Sequence, residues 1–334
     1  MKERVAVVGT TTWGTTLGII LARNGVPVSL LARTPAEAAE LNSHRQNARF
    51  LPDAPFPDAL TVAGDVEEAL APAALVIVAV PSDRLRDNLR CIRDGLAPGA
   101  TILSATKGLE LPAATRMSQV MQEELPPRFH SSICVLSGPN LAHEIVQGKP
   151  SSTVIAGQDV SKAEGAQSIL MSSSFRVYTS DDVIGVELGG ALKNIIGLGA
   201  GIADGMGAGD NGKSAFMTRG LAEITRLGIA AGAQPLTFAG LAGLGDLIAT
   251  CNSRLSRNHY VGEQLARGRT WPEIRQSMDN VAEGVNATGA ALKMAASLGV
   301  EMPIAQVTYR VLFEGLSPQE AAAELMGRPP RSEW

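Results

Sequence analysis

Aromatic residues are scarce in this 334-residue sequence, at 4% of the total, and charged residues make up only 19%. Neither shortage implies disorder, because 45% of the residues are hydrophobic and can supply a sizeable core. The chain exceeds what one ordinary core fills, so two domains are expected. Any block of like charge is missing as well: 29 Lys and Arg stand against 33 Asp and Glu, for a formal net charge of -4. The electrostatic footprint of a general nucleic-acid binder is therefore lacking, and no nucleic-acid partner is expected. Cys91, Cys134 and Cys251 are odd in number, far apart and without a C-x-x-C pair. That argues against a disulfide scaffold and a thiolate metal site and favours the reducing cytoplasm. No long hydrophobic run opens the chain, since residues 1–4 are charged and residues 5–8 are too few for a signal-peptide core. The most lipid-like stretch, residues 183–206, is interrupted by Glu187, Lys193, Asp204 and repeated glycines. It falls short of the roughly 20 uninterrupted apolar residues of a membrane span. A soluble protein without integral membrane association is expected.

The first half alternates short apolar runs with helical stretches. Residues 5–9 read as a buried strand, 14–24 as a helix stopped by Gly25, and 27–32 as the next strand, which makes one βαβ unit. Further strands are expected at 75–80, 101–105, 133–136, 153–156 and 175–179, with helices at 82–93, 115–125 and 162–171. After about Asp182 the strand signals stop, and helical windows follow at 183–203, 213–231, 253–267, 283–298, 304–313 and 318–326. The fold class is thus α/β followed by all-α. A Rossmann-like, doubly wound dinucleotide-binding domain over 1–182 precedes an all-helical substrate-binding domain over 183–334. The glycine-rich segment 205–212 reads either as a mobile loop or as a plain helix connector.

The first strand runs into GTTTWG at 9–14 and then a helix. In a dinucleotide fold the first glycine permits the turn, the second admits the pyrophosphate and the third lets helix meet strand. Gly9 and Gly14 fill the outer positions, while Thr11 occupies the middle one and brings a branched side chain where an oxygen would approach. The N–H groups of the following helix terminus still suit an anion. Arg33, just past the second strand, replaces the usual carboxylate for ribose hydroxyls by a guanidinium suited to a 2′-phosphate, which favours NADP over NAD.

Four more clusters carry polar groups in apolar, glycine-rich surroundings. SATKG at 104–108 places Lys107 beyond a strand's carboxyl end, where open α/β sheets bind ligands. SGPNLAHE at 137–144 repeats the strand, turn and helix pattern. ELGGALKN at 187–194 sets Lys193 on a helix that is apolar on nearly every side, where an ammonium must be paired or lose its proton. GLGD at 243–246 and NSRLSRN at 252–258 combine Asp246 with a Ser/Arg/Asn group suited to phosphate. Duller accounts exist: Asp246 as a helix cap, Lys193 reaching to solvent, Arg254 and Arg257 as surface charges. His143 and His259 lack a ligand spacing, so no metal is expected.

Taken together, ATKGLE at 105–110, SGP at 137–139, GGALKN at 189–194, AGLGD at 242–246, SRN at 256–258 and EG at 283–284 resemble bacterial-type NAD(P)-dependent glycerol-3-phosphate dehydrogenase, across essentially the whole chain. The resemblance implies reversible reduction of dihydroxyacetone phosphate to sn-glycerol 3-phosphate for phospholipid synthesis in the cytoplasm. Together with Arg33 it gives NADPH as the expected preferred cofactor with NADH possible, and it implies Lys193 as the catalytic proton donor and acceptor. Cofactor contacts are implied at Thr12, Trp13, Arg33, Lys107, Ala142, Arg257, Val281 and Glu283, to which the glycine turn adds Gly9 and Gly14. Substrate contacts are implied at Lys107, Gly138, Asn140, Lys193, Asp246, Ser256, Arg257 and Asn258, with Arg257 and Asn258 holding the phosphate. The partner expected is a small phosphorylated molecule, and a homodimer is left open. Two departures from the family pattern stand out: Thr11 in place of a glycine, and Asn140 in place of a serine. Thr11 keeps one alternative alive, a weakly active or non-catalytic nucleotide-responsive module; a related two-domain dehydrogenase of another hydroxy or keto acid is a second alternative.

Overall fold

The computed structural model describes residues 3–253, 255–278, 282–330 and 332–333. The chain divides into two compact units, Met1–Glu110 with Thr115–Glu187, and Leu111–Ala114 with Leu188–Trp334.

The strands are β1 (Arg4–Val8), β2 (Val28–Leu31), β3 (Leu60–Ala63), β4 (Ala73–Val78), β5 (Thr101–Ser104), β6 (Leu109–Glu110), β7 (Thr115–Arg116), β8 (Ile133–Ser137), β9 (Ser151–Gly157) and β10 (Phe175–Ser180). Helices α1 (Thr12–Arg23), α2 (Pro35–His44), α3 (Val66–Leu70), α4 (Leu85–Ile92), α5 (Met117–Glu124), α6 (Ala142–Val146) and α7 (Val160–Leu170) alternate with them. Eight strands form one sheet in the order β10-β9-β8-β5-β4-β1-β2-β3, while β6 and β7 form a small ribbon. From β3 to β8 every neighbour is parallel. β9 runs antiparallel to β8, a reversal that the apolar runs alone did not disclose. Strand order turns round at β1 and β4, the place where such sheets take their ligands.

Alternation along the strands builds a core on each face. Val5 and Val7 join Leu17, Leu30 and Ile77 on one side, and Ala6 and Val8 join Val76, Leu89 and Ile102 on the other. Burial on both faces explains why β1 and β4 read as continuous apolar runs. α2 was not expected, because its sequence is mostly polar and alanine-rich. It is set by Pro35 in the first turn and by Thr34, whose hydroxyl accepts from Glu37 N.

The second unit contains α8 (Val183–Gly205, begun in the first unit), α9 (Gly209–Ala230), α10 (Pro235–Ala239), α11 (Asp246–Asn252), α12 (Arg257–Ala266), α13 (Trp271–Gln276), α14 (Glu283–Leu298), α15 (Pro303–Phe313) and α16 (Pro318–Met326). α8 is long and apolar enough to cross a membrane by length and composition, but 83% of its most apolar window is buried inside the protein. Only residues 206–208 separate α8 from α9, so most of 205–212 is helical and the segment between them is a short helix connector. Gly262 shows how closely α12 lies on α8: a Cβ there would sit 2.0 Å from Leu198 O. That approach aligns Asn258 on α12 with Asn194 on α8.

Candidate functional site

In the first unit, β1 ends in a turn that only glycine fits. Gly9 has φ +116°, and a Cβ on Gly14 would meet Gly9 O at 2.0 Å. Thr11 is the N-cap residue of α1 at φ -74°, a conformation open to any residue, and its hydroxyl donates to Ala79 O at 3.2 Å. No side chain caps α1, so Thr12, Trp13 and Gly14 offer the amides of its first turn. Asn47 braces the turn by donating to Thr10 O at 2.7 Å and to Thr15 Oγ1 at 3.0 Å. Arg33 follows β2 and is bound by Glu37 at 2.9 Å.

Beyond the carboxyl ends of β5 and β8 lies a second polar group. Lys107 Nζ donates to Gly138 O at 2.9 Å, which joins two motifs 31 residues apart. Gly138 has φ +152°, and Asn140 Oδ1 accepts from Thr153 Oγ1 at 3.1 Å. Ala142 begins the short α6. Among the described residues, four buried side-chain polar atoms lack a partner: Trp13 Nε1, Ser104 Oγ, Ser137 Oγ and Asn140 Nδ2. Buried polar groups are ordinarily satisfied. All four stand beside the glycine turn or at and just past the carboxyl ends of β5 and β8, as expected of atoms that complete their bonding on a ligand.

The second unit holds a buried ion pair. Lys193 on α8 donates to Asp246 Oδ1 and to Thr250 Oγ1, both at 2.6 Å. The Lys193 and Asp246 side chains are only 9% and 3% exposed. The duller accounts of Lys193 and Asp246 do not hold: the lysine does not reach solvent, and Asp246 is the first residue of α11, its carboxylate turned to the ammonium. Next to this pair, Asn258 Nδ2 donates to Asn194 Oδ1 at 2.8 Å while Asn258 Oδ1 accepts from Gly284 N at 2.9 Å. One amide thus ties α12 to α8 and to the start of α14, whose first residue is Glu283. Ser256 caps α12, accepting from His259 N at 3.3 Å, and Arg257 is exposed in the first turn. Arg254 and Val281 lie outside the described residues.

Three contributors escaped the sequence reading. Thr250 is an ordinary helix residue one turn beyond Asp246, and Asn194, though it ends the GGALKN motif, was not singled out as a site residue. Asp204 accepts from Lys213 Nζ at 2.6 Å and from His259 Nε2 at 2.7 Å, a cluster just past the phosphate-like turn. Burial pushes the Asp204 carboxyl up, but those two donors outweigh it and hold it below the usual range. The signal was present as His259 directly following Asn258.

Two family models match, the NAD-dependent glycerol-3-phosphate dehydrogenase N-terminus over residues 4–163 and the C-terminus of the same family over residues 182–323. The chain belongs to this family. A glycerol-3-phosphate dehydrogenase [NAD(P)+] of Dehalococcoides mccartyi strain 195 is 53% identical over 325 residues, covering 97% of this chain and 90% of that one. Its counterpart in Chlorobium limicola is 46% identical over 98% of this chain and 99% of its own. The crystal structure of glycerol-3-phosphate dehydrogenase from Coxiella burnetii superposes with a TM-score of 0.91 at 34% identity, covering 98% and 99% of the two chains. For this glycerol-3-phosphate dehydrogenase family member the cofactor is a nicotinamide dinucleotide. The glycine turn, the uncapped start of α1 and the unpartnered Trp13 Nε1 suit such a molecule.

Proposed function

We propose that this chain reversibly reduces dihydroxyacetone phosphate to sn-glycerol 3-phosphate, with NADPH preferred and NADH accepted. The observation that carries this reading is the buried Lys193 ammonium, set between Asp246 and Thr250 in the unit that also presents the Ser256–Asn258 turn. Gly9, Thr12, Trp13, Gly14 and Arg33 would hold the dinucleotide in the first unit, with Lys107, Ala142, Arg257, Val281 and Glu283 as further contacts. When bound, the reduced nicotinamide supplies a hydride to the ketone carbon.

The chain's own residues do the rest. Lys193 gives a proton to the carbonyl oxygen as charge builds there and regains one before the next turnover; in reverse, the neutral amine removes the alcohol proton. Positioned proton transfer of this kind is worth roughly a hundred- to ten-thousand-fold. Asp246 keeps the ammonium oriented and charged, and accepts from a substrate hydroxyl. Arg257 and Asn258 grip the phosphate, whose remote binding energy places the ketone against Lys193. Because the Asn258 side chain already bridges Asn194 and Gly284, its task is to fix that turn as well as to meet substrate. Lys107, Gly138, Asn140 and Ser256 complete the substrate contacts.

Cys91, Cys134 and Cys251 are free thiols, which suits a cytoplasmic enzyme serving glycerophospholipid synthesis. The test is an absorbance assay of NADPH and NADH oxidation with dihydroxyacetone phosphate and, separately, with unphosphorylated dihydroxyacetone. Turnover confined to the phosphorylated ketone supports the assignment. Equal turnover of both ketones, or binding of NADPH without oxidation, overturns it.

A further inference from the structure

Arg33 does not stand alone at the end of β2. Its Nη2 donates to Glu37 Oε1 at 2.9 Å, its Nε to Oε2 at 3.1 Å, and its backbone N–H to Oε2 at 2.9 Å. The Thr10 hydroxyl, from the glycine turn, donates to Glu37 Oε1 at 2.9 Å. One carboxylate therefore collects donors from the turn after β1, from the backbone after β2 and from the guanidinium fork. Burial pushes the Glu37 carboxyl up, yet the bonds from Arg33 and Thr10 and the Arg33 charge outweigh it, so it stays ionised well below neutrality. Arg33 is 69% exposed and Glu37 only 18%, so the carboxylate is the fixed member of the pair.

Dinucleotide folds read the adenosine ribose at the end of the second strand, a carboxylate suiting a 2′-hydroxyl and an arginine suiting a 2′-phosphate. Here both are present and locked to each other. The Nε and Nη2 edge that Glu37 occupies is the edge with which a guanidinium grips a phosphate through two parallel bonds. A 2′-phosphate arriving at Arg33 must share that edge with, or take it from, a fixed negative charge. An incoming 2′-hydroxyl meets no such opposition and finds acceptor oxygens in Glu37.

We infer that Glu37 is a specificity-determining residue that holds down the preference for 2′-phosphorylated cofactors by occupying the fork of Arg33. This rests on the reading that Arg33 meets the ribose 2′ position. A plain i,i+4 surface pair would need neither the Thr10 hydroxyl nor the Arg33 backbone N–H, and both converge on the same carboxylate.

The test is calorimetric binding of adenosine 2′,5′-bisphosphate and of 5′-AMP to the full chain in wild-type form and as Glu37→Gln and Arg33→Ala. Glutamine keeps an acceptor for Thr10 and Arg33, and thermal unfolding checks that each variant is folded. Glu37→Gln is expected to tighten the bisphosphate about tenfold and to leave 5′-AMP within about twofold, an effect that shrinks at high salt. Arg33→Ala is expected to weaken the bisphosphate about tenfold and spare 5′-AMP. If Glu37→Gln leaves the ratio of the two affinities unchanged, or weakens both ligands in parallel as a mere brace would, the inference is overturned. If Arg33→Ala leaves the ratio unchanged, the failure lies in the underlying placement of Arg33.

Discussion

Replacing Asp246 by Ala strips from Lys193 the carboxylate that lies 2.6 Å from its Nζ. Both side chains are nearly sealed from water, so the ammonium cannot recover the loss by hydration. Breaking a buried pair from one side costs about 3–5 kcal/mol. Thr250 Oγ1 still accepts from Nζ, which places the expected loss at the lower end, about 3 kcal/mol. The cost also depends on pH in a definite sense. With the carboxylate gone, burial disfavours the charged amine, so the folded-state pKa of Lys193 falls below its unfolded value of about 10.4. The folded variant then binds fewer protons than the unfolded chain, and its stability rises with pH up to that unfolded value, by at most about 1.4 kcal/mol per pH unit. Urea unfolding of wild type and Asp246→Ala from about pH 7 to about pH 9.5, read as midpoints at constant m, measures this directly. The double variant Lys193→Met with Asp246→Leu removes both charges and should regain most of the stability. A loss under about 1 kcal/mol that does not vary with pH would refute the reasoning, because it would mean that the ammonium is hydrated or held by other groups.

Three further outcomes are expected. Glu223 accepts from Ile304 N and Ala305 N at the start of α15, yet burial pushes its carboxyl up to about 7. The folded state holds that proton where the unfolded chain has lost it, so stability falls as pH rises from about 4.5 toward neutrality, by about 3 kcal/mol. Glu223→Gln should flatten that slope in thermal unfolding, and parallel curves for the two proteins would count against it. Gly14→Ala forces a Cβ to within 2.0 Å of Gly9 O, so the turn must shift; calorimetry should show NADPH binding at least about tenfold weaker and stability lower by about 1–3 kcal/mol. Thr250→Val removes an acceptor of Lys193 without touching the phosphate turn, so kcat should fall about tenfold with KM nearly unchanged and Thr250→Ser restoring most of it.

The sequence disclosed the parts of this protein that depend on local pattern. Strands buried on both faces announce themselves as apolar runs, and α14 and α16 begin and end where their periodicity places them, α16 with a Ser317 capping box as well. Elements fixed by a few specific contacts did not. α2 depends on one proline and one threonine cap, and the reversed direction of β9 is a matter of pairing that no single strand encodes. At the candidate site the charged and glycine-flanked residues Lys107, Lys193, Asp246 and Ser256–Asn258 stood out because charge in apolar surroundings is costly. Thr250, Asn194 and Glu37 did not stand out, because a neutral helix residue or a surface glutamate gains meaning only from the side chain it meets in space. Thr11 looked like a defect by sequence, yet its backbone is ordinary and its hydroxyl anchors the loop to Ala79.

The central claim is that the Lys193 ammonium moves the proton during ketone reduction. Steady-state turnover of dihydroxyacetone phosphate by Lys193→Ala, measured beside calorimetric NADPH affinity on the same preparation, tests it most directly. The account predicts a loss of turnover of at least about a hundredfold with NADPH affinity within about twofold of wild type. Turnover near the wild-type rate would contradict it.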